Sequence, residues 1–373
     1  MIDTLMLRDE AQKQLAQIKT VESGVEYLNK VKAIETWAKA EKKDAILQNA
    51  IAEQKIRTQK ILGGLLKDNI QHQGGRNKTV TNNDRLSLKD IGVTKNESST
   101  FQKIASMPEE LFEKEIAQAK DESNKRIELT TSRLLKAAKQ YEKDKHKEEK
   151  SKIVNDLNNT NAKNIEAEIE KGWYKVGNQF LYYGSNLDIE FKSRLPKAKF
   201  AFADPPYNAG VDEWDFDFKW ELDFLQDFAE IVAVTPGGWN ACNFYKQTNM
   251  NYIWEMFCWI SNGMTHGKCG YANVIKTSIF GNVKPKISQD FWKISIKINE
   301  SEDTEHKGRK PYDFMIHLID IFTKEKDIVI DPFSGSGTTL LMCEKMNRIS
   351  YNAELNKQYC IDIIKRIGNY ERL

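Results

Sequence analysis

From Gly172 onward the chain alternates short apolar runs with longer amphipathic segments, and few architectures tolerate that alternation. Lys199–Ala203 reads as a short apolar strand. Trp220–Val234 predicts an amphipathic helix, Trp239–Phe244 a strand after Pro236-Gly237-Gly238, and Met250–Ile260 a further helix. Ala272–Phe280 and Phe291–Ile298 read as strands, the second alternating through Ile294, Ile296 and Ile298. A helix at Pro311–Phe322, a strand at Asp327–Ile330, a helix at Thr338–Met346, a strand at Ile349–Ala353 and a last helix from Lys357 complete the series. Strands interleaved with helices in this way predict an α/β fold with a doubly wound, mostly parallel sheet. Ligands of such sheets bind outside the carboxyl ends of the strands.

Two strand ends carry residues suited to chemistry. Asp204-Pro205-Pro206-Tyr207 follows Lys199–Ala203 directly. The two prolines hold the backbone extended and remove two N–H donors, so that carbonyls, an acid and an aromatic ring face one site. That set suits an amino group on a flat ring: Asp204 and the Pro205 carbonyl each accept one N–H, and Tyr207 stacks on the ring face. The second segment, Asp331-Pro332-Phe333-Ser334-Gly335-Ser336-Gly337-Thr338-Thr339, also closes a strand. Its glycines permit a tight turn and close approach to a ligand, and the next helix offers unpaired N–H groups. Glu354 ends the following strand, where a carboxylate suits a ribose diol. No lysine follows the glycines, which excludes a phosphate-binding P-loop, and the absence of a third glycine at dinucleotide spacing disfavours NAD.

Composition narrows the class further. A net charge of +2 neither requires nor excludes nucleic acid, because the clustering of Lys and Arg decides that. The five cysteines, Cys242, Cys258, Cys269, Cys343 and Cys360, form no CxxC pair and no metal-like spacing with histidine, so reduced structural thiols of a cytoplasmic protein and no metal are expected. His306 and His317 are expected to be structural. The opening MIDTLMLRDE has early acids and no continuous apolar core, so no signal peptide is expected, and no eighteen-residue apolar run predicts a membrane span.

Residues 1–155 have a different grammar and are assigned to an α-helical domain, with 172–373 as the second domain. Apolar residues at Val21, Val25, Leu28, Val31, Ile34 and Trp37 recur at helical spacing. Gly63-Gly64 breaks the pattern, and His72–Asn83 predicts an exposed loop. A short helix at Leu86–Ile91 ending at Gly92, then one capped by Thr94 or Asn96, reads as a helix-turn-helix over about 86–107. It would offer Lys95, Ser98, Ser99, Gln102 and Lys103 to a DNA groove; the alternative is a plain three-helix bundle. Pro108 starts a third helix with Glu109 and Glu110 in its first turn, and Arg126 to about Lys152 reads as a charged, solvated helix.

The second half resembles the beta group of amino-methylating DNA methyltransferases, in which a catalytic DPPY segment precedes a cofactor-binding FxGxG segment. Asp204–Tyr207 match the first and Phe333–Gly337 the second; Lys310-Pro311 resembles the family's Lys-Pro, and Arg348, Glu354 and Tyr359 its closing pattern. The match runs from about Leu181 to the C-terminus, and departs where many relatives have Gly-Asp and this chain has Gly184-Ser185-Asn186. The N-terminal helices resemble segments fused to such domains in phage and prophage proteins.

The resemblance implies a Rossmann-like fold with circularly permuted motif order and S-adenosyl-L-methionine (AdoMet) as cofactor. Asp331, Phe333, Ser334, Gly335, Gly337, Thr338, Thr339, Glu354 and Lys310 would hold the cofactor; Asp204, Pro205, Pro206 and Tyr207 would be catalytic. Double-stranded DNA is the implied partner, a target-recognition insert is expected within about 209–305, and a homodimer through the N-terminal helices is a further expectation. Asp at the head of DPPY favours adenine N6 as the acceptor. An N4-cytosine enzyme on the same scaffold, or a DNA-binding regulator with an inactive methylase fold, are the alternatives. RNA or protein amino-methyltransferases usually place the cofactor segment first, the reverse of the order here. Asn262–Tyr271 reads either as a DNA-contacting loop or as an ordinary hairpin, and Trp214, Trp220 and Trp239 as core or pocket wall.

Overall fold

The computed structural model describes residues 11–69, 88, 90–121, 129–158, 167–206, 220–238, 240–262, 265–267, 270–287, 289–296 and 309–373. Tyr207, Trp214, Trp239, Cys269, His306 and the loop expected at His72–Asn83 lie outside them. The chain divides into two compact units, Met1–Glu148 and Glu149–Leu373.

The second unit is built on a sheet whose strands run β1 (Gly172–Val176), β2 (Gln179–Tyr183), β3 (Ala198–Ala203), β4 (Ala229–Val234), β5 (Tyr252–Ile260), β8 (Val274–Gly281), β9 (Phe291–Ile294), β10 (Ile328–Asp331), β11 (Ile349–Glu354) and β12 (Tyr370–Arg372). β6 (Thr265–Gly267) and β7 (Gly270–Ala272) pair antiparallel, apart from the large sheet. The spatial order of the large sheet is β12-β1-β2-β11-β10-β3-β4-β8-β5-β9. From β2 to β4 all neighbours are parallel, and β8 enters antiparallel between β4 and β5. This is the doubly wound, mostly parallel sheet expected.

Strand periodicity divides the core in two. Phe200, Phe202, Ile231, Ala233 and Val329 point to one face, where helix Tyr312–Phe322 contributes Phe314, Met315 and Leu318. Ala201, Ala203, Val232, Val234 and Ile330 point to the other, against Trp220, Leu222 and Phe244. Successive residues of a strand face opposite sides, so a central strand covered on both sides reads as one apolar run.

That property accounts for the first of three corrections. Trp220–Val234 is not one helix: it holds a single helical turn at Leu225–Phe228 followed by strand β4, whose AEIVAV is buried on both faces. Periodicity cannot separate such a run from a buried helix. Met250–Ile260 is not a helix but contains strand β5, rich in aromatic residues and paired to β8 and β9. Trp239–Phe244 is not a strand; helix Ala241–Gln247 begins inside it and buries Ala241 and Phe244, one helical turn apart. The β1–β2 hairpin was not anticipated, although Gly177-Asn178, with Gly177 at φ 61°, is a two-residue hairpin connection.

In the first unit, helices Val21–Ala40, Ala45–Asn69, Lys95–Ala105 and Glu109–Asp121 are present, and helix Thr131–Asn158 starts there. Val21, Leu28 and Val31 are buried as their spacing predicts, but Ile34 and Trp37 are 49% and 52% exposed. Gly63 and Gly64 do not interrupt their helix. A Cβ on Gly63 would stand 2.0 Å from the Phe101 carbonyl oxygen, so this glycine lets helix Lys95–Ala105 approach the backbone. The described residues of the helix expected at Leu86–Ile91 are turn. Gly92 is left-handed at φ 69°, and Thr94 caps the next helix, its hydroxyl accepting from Glu97 N while the Glu97 carboxylate accepts from Thr94 N. Ser98 faces inward, 4% exposed, and accepts from Gln102 Nε2 at 3.0 Å, which removes it from the outward polar face.

Candidate active site

The strand order reverses between β10 and β3. β3 is followed by β4 on one side, whereas β10 is followed by β11 on the other. A reversal of strand order of this kind is where doubly wound sheets hold a ligand crevice above the strand ends. Register pairs Val329 with Phe200 and Ile330 with Ala201, so Asp331 and the Asp204-Pro205-Pro206 segment emerge at the same edge of the sheet. The two segments singled out in the sequence are therefore neighbours.

Asp204 is fixed at both oxygens. Thr235 Oγ1 donates to Oδ1 at 2.5 Å, and Lys310 Nζ donates to Oδ2. Thr235 directly follows β4, and its N–H donates to the Ala203 carbonyl at 3.0 Å. Lys310 precedes helix Tyr312–Phe322, which Pro311 caps. Both partners are partly shielded, with side-chain exposures of 11% for Lys310 and 20% for Asp204, so the pair is stronger than a surface ion pair. The Pro206 carbonyl accepts from Trp220 Nε1 at 3.3 Å, and Trp220 packs in the core beside it.

The glycine segment folds back on Glu354. Ser334 N donates to the Ala353 carbonyl at 2.9 Å, and Gly335 N to Glu354 Oε2 at 2.7 Å. Gly335 and Gly337 adopt φ 50° and 77°, conformations that L side chains rarely accept. Gly337 caps helix Thr338–Lys345, and a Cβ there would meet Ile363 Cγ1 at 2.5 Å. Phe333 N donates to Asp331 Oδ1 at 2.9 Å. Ser336 presents its carbonyl to Arg366 at 2.6 Å, and Arg366 also donates to the Tyr312 hydroxyl. Thr339 Oγ1 lies 3.7 Å from Met315 Sδ, and Thr338 Oγ1 3.2 Å from Ser336 Oγ.

Two carboxyls here are held near neutrality. Burial pushes Asp331 up to about 7; the charge of Asp204 adds to that, and Lys310 opposes it. The mutual influence of these three groups places them in one electrostatic neighbourhood. Burial likewise pushes Glu354 up to about 7, against the N–H groups of Asn356 and Gly335 that favour its ionised form.

Several polar atoms around the crevice are buried without hydrogen-bond partners: Ser334 Oγ, Asn186 Nδ2 and both terminal nitrogens of Arg309. Asn186 follows β2, whose Tyr183 pairs with Glu354. Orphaned buried donors and acceptors are rare, and those at a strand-end crevice fit a polar ligand.

Sequence reasoning brought Asp204, Asp331, the glycines and Glu354 to one edge. It placed Lys310 with the cofactor group, whereas the structure puts its ammonium on Asp204. Thr235 was missed, although a hydroxyl ending the strand after DPP was a local signal; Arg366 and Arg309 carried none. His317 stacks on Trp292 at 4.4 Å, and burial pushes its pKa down to about 4, which makes it a core residue. Among the described residues no group of three His, Cys, Asp or Glu could hold a metal ion, and no helix is long and apolar enough to cross a membrane.

Residues 224–366 match the N6/N4 DNA methylase family. The chain is 31% identical over 119 residues to the type II methyltransferase M.HindIII of Haemophilus influenzae, spanning 31% of this chain and 32% of that protein. It is 36% identical over 93 residues to M.BglII of Bacillus subtilis, spanning 25% of this chain and 26% of that one. The chain thus spans about a third or less of the length of these two relatives. Among solved structures, the M1.HpyAVI–SAM complex aligns with 50% of this chain and 98% of its own, at 21% identity and a TM-score of 0.39. The similarity to that family lies within residues 224–366, in the second unit.

Proposed function

We propose that the C-terminal unit transfers a methyl group from AdoMet to the exocyclic N6 of an adenine flipped out of double-stranded DNA. The observation that supports this most is the pairing of an anchored carboxylate, Asp204, with the Gly335–Glu354 loop at adjacent strand ends on a topological switch point.

AdoMet, when bound, supplies a methyl group on a sulfonium sulfur. Its site would be the Phe333–Thr339 turn with Glu354, where the partnerless Ser334 hydroxyl and Asn186 amide suit a ligand rich in hydroxyls and amines. Glu354, which accepts from Gly335 N and Asn356 N, can also accept from a ribose diol. Asp204, held by Thr235 and Lys310, accepts one amine N–H, and the Pro205 carbonyl accepts the other. These two bonds aim the nitrogen lone pair away from the ring plane. Tyr207 stacks on the extruded base, since a base inside the duplex cannot reach the site. Positioning and electrostatics at a developing ammonium then supply most of the acceleration.

Target recognition belongs to the segment 209–305, and the exposed Ile34 and Trp37 of the N-terminal helices favour self-association, which light scattering in solution tests. Asp at the head of DPPY favours adenine over cytosine. The test is incubation of the full chain with duplex DNA and methyl-labelled AdoMet, followed by nucleoside mass spectrometry. Label in N6-methyladenine is expected. Label in N4-methylcytosine would overturn the base choice alone, and AdoMet binding without transfer would favour the inactive regulator.

A further inference from the structure

We infer that Arg309 receives the α-carboxylate of the bound cofactor, an assignment that rests on the AdoMet-dependent reading above. Both terminal nitrogens of its guanidinium are buried and have no hydrogen-bond partner. A guanidinium keeps its charge inside a protein and presents its donors in a planar fork. The ring of Tyr312, 4.3 Å from the guanidinium carbon, offsets part of the desolvation through its face. The edge of the fork, where the donors point, is left unmatched. A carboxylate is the group whose two oxygens fit that edge.

The position of Arg309 links it to the crevice. The next residue, Lys310, directs its ammonium to Asp204, which puts Arg309 beside the DPP segment. The Tyr312 hydroxyl under Arg309 accepts from Arg366, which in turn holds the Ser336 carbonyl of the glycine turn. Asp331, almost fully buried, ends the strand that leads into that turn. A carboxylate and a guanidinium at one crevice complement a zwitterion, and the amino-acid end of AdoMet has an ammonium and a carboxylate. A DNA phosphate is the other anion within the proposed reaction. Backbone phosphates are met at the protein surface, whereas these nitrogens are buried. The small ligand is therefore favoured.

The test compares the full chain with Arg309→Gln and Arg309→Lys by calorimetric titration of two probes. S-adenosylhomocysteine carries the amino-acid end; 5′-methylthioadenosine keeps the nucleoside and lacks it. Arg309→Gln is expected to weaken S-adenosylhomocysteine by about 10- to 100-fold, the range for one lost charge-assisted contact, while methylthioadenosine stays within about twofold. Arg309→Lys should recover part of the loss. The thermal midpoint of the ligand-free Arg309→Gln protein should not fall, because the replaced cation has no hydrogen-bonding partner there. Equal losses for both probes, no loss for either, or a lowered ligand-free midpoint would overturn the assignment. So would a fall in DNA affinity with S-adenosylhomocysteine binding unchanged, which points to a phosphate. Failure of the unaltered chain to bind S-adenosylhomocysteine would instead overturn the proposed function, and the assignment with it.

Discussion

Lys310 and Asp204, 106 positions apart in the chain, meet as an ion pair at the mouth of the sheet, with Nζ donating to Oδ2. The opposite oxygen of the same carboxylate is taken by Thr235, which comes from a third segment. A carboxylate held at both oxygens is fixed in direction, a requirement for orienting an amine rather than merely attracting it.

Replacing Lys310 by Met should separate the two roles open to this lysine. If it orients Asp204, turnover falls about tenfold to a hundredfold, as for a lost charge-assisted hydrogen bond, while the AdoMet dissociation constant changes less than about threefold. A weakened dissociation constant with turnover preserved would return Lys310 to the cofactor.

Asp204→Ala should retain AdoMet binding and lose transfer by at least about a hundredfold, because it removes an acceptor aimed at the amine. Single-turnover methylation of duplex DNA, alongside equilibrium binding of AdoMet, measures both quantities. Transfer near the unaltered rate would sink the role assigned to this residue.

Gly337→Ala combines a left-handed backbone with a Cβ that would press on Ile363 Cγ1 at 2.5 Å. The conformation costs about 1–2 kcal/mol and overpacking about 1–3 kcal/mol. A loss of about 2–4 kcal/mol in denaturant unfolding is expected, with weaker AdoMet binding because the turn before helix Thr338–Lys345 shifts.

Asp331 gives the fold a pH dependence of definite sign. Burial raises its folded-state value from 3.8 to about 7, so the folded chain binds a proton there that the unfolded chain releases. The stabilisation is complete below about pH 4 and is lost as pH rises through about 7. Glu354, raised to about 7, acts in the same direction. Thermal midpoints of the ligand-free chain should therefore fall from pH 5 to pH 8 more steeply than those of Asp331→Asn. Parallel curves for the two proteins would show that Asp331 is ionised throughout.

Gly63→Ala tests the packing of the N-terminal helices. The added Cβ would stand 2.0 Å from a backbone oxygen of Phe101, which cannot retreat without moving its helix. A loss of about 1–3 kcal/mol is expected from overpacking. Gly64→Ala, whose Cβ would meet nothing within 4 Å, is the control and should be neutral or stabilising.

Local chemistry was legible without coordinates wherever proline or glycine governs the backbone. Asp204-Pro205-Pro206 at the end of β3, Gly335 and Gly337 in the turn after β10, Pro311 before its helix and Gly92 after a turn all sit where their backbone preferences put them. Each preference acts over a few residues, so the chain order alone carries it. Strand β4 reads as helix in the sequence because a strand's periodic signature disappears when both of its faces are covered, whereas β5, with Tyr252, Trp254 and Phe257 exposed, is a strand through its pairing with β8 and β9. The inward turn of Ser98 and the close contact at Gly63 arise in the same way, from helices packing across sequence separation. Sequence by itself determined the two strand-end segments and the family they resemble. Only tertiary structure decided what holds Asp204, because Thr235 and Lys310 reach it from segments distant in the chain, which no local preference encodes.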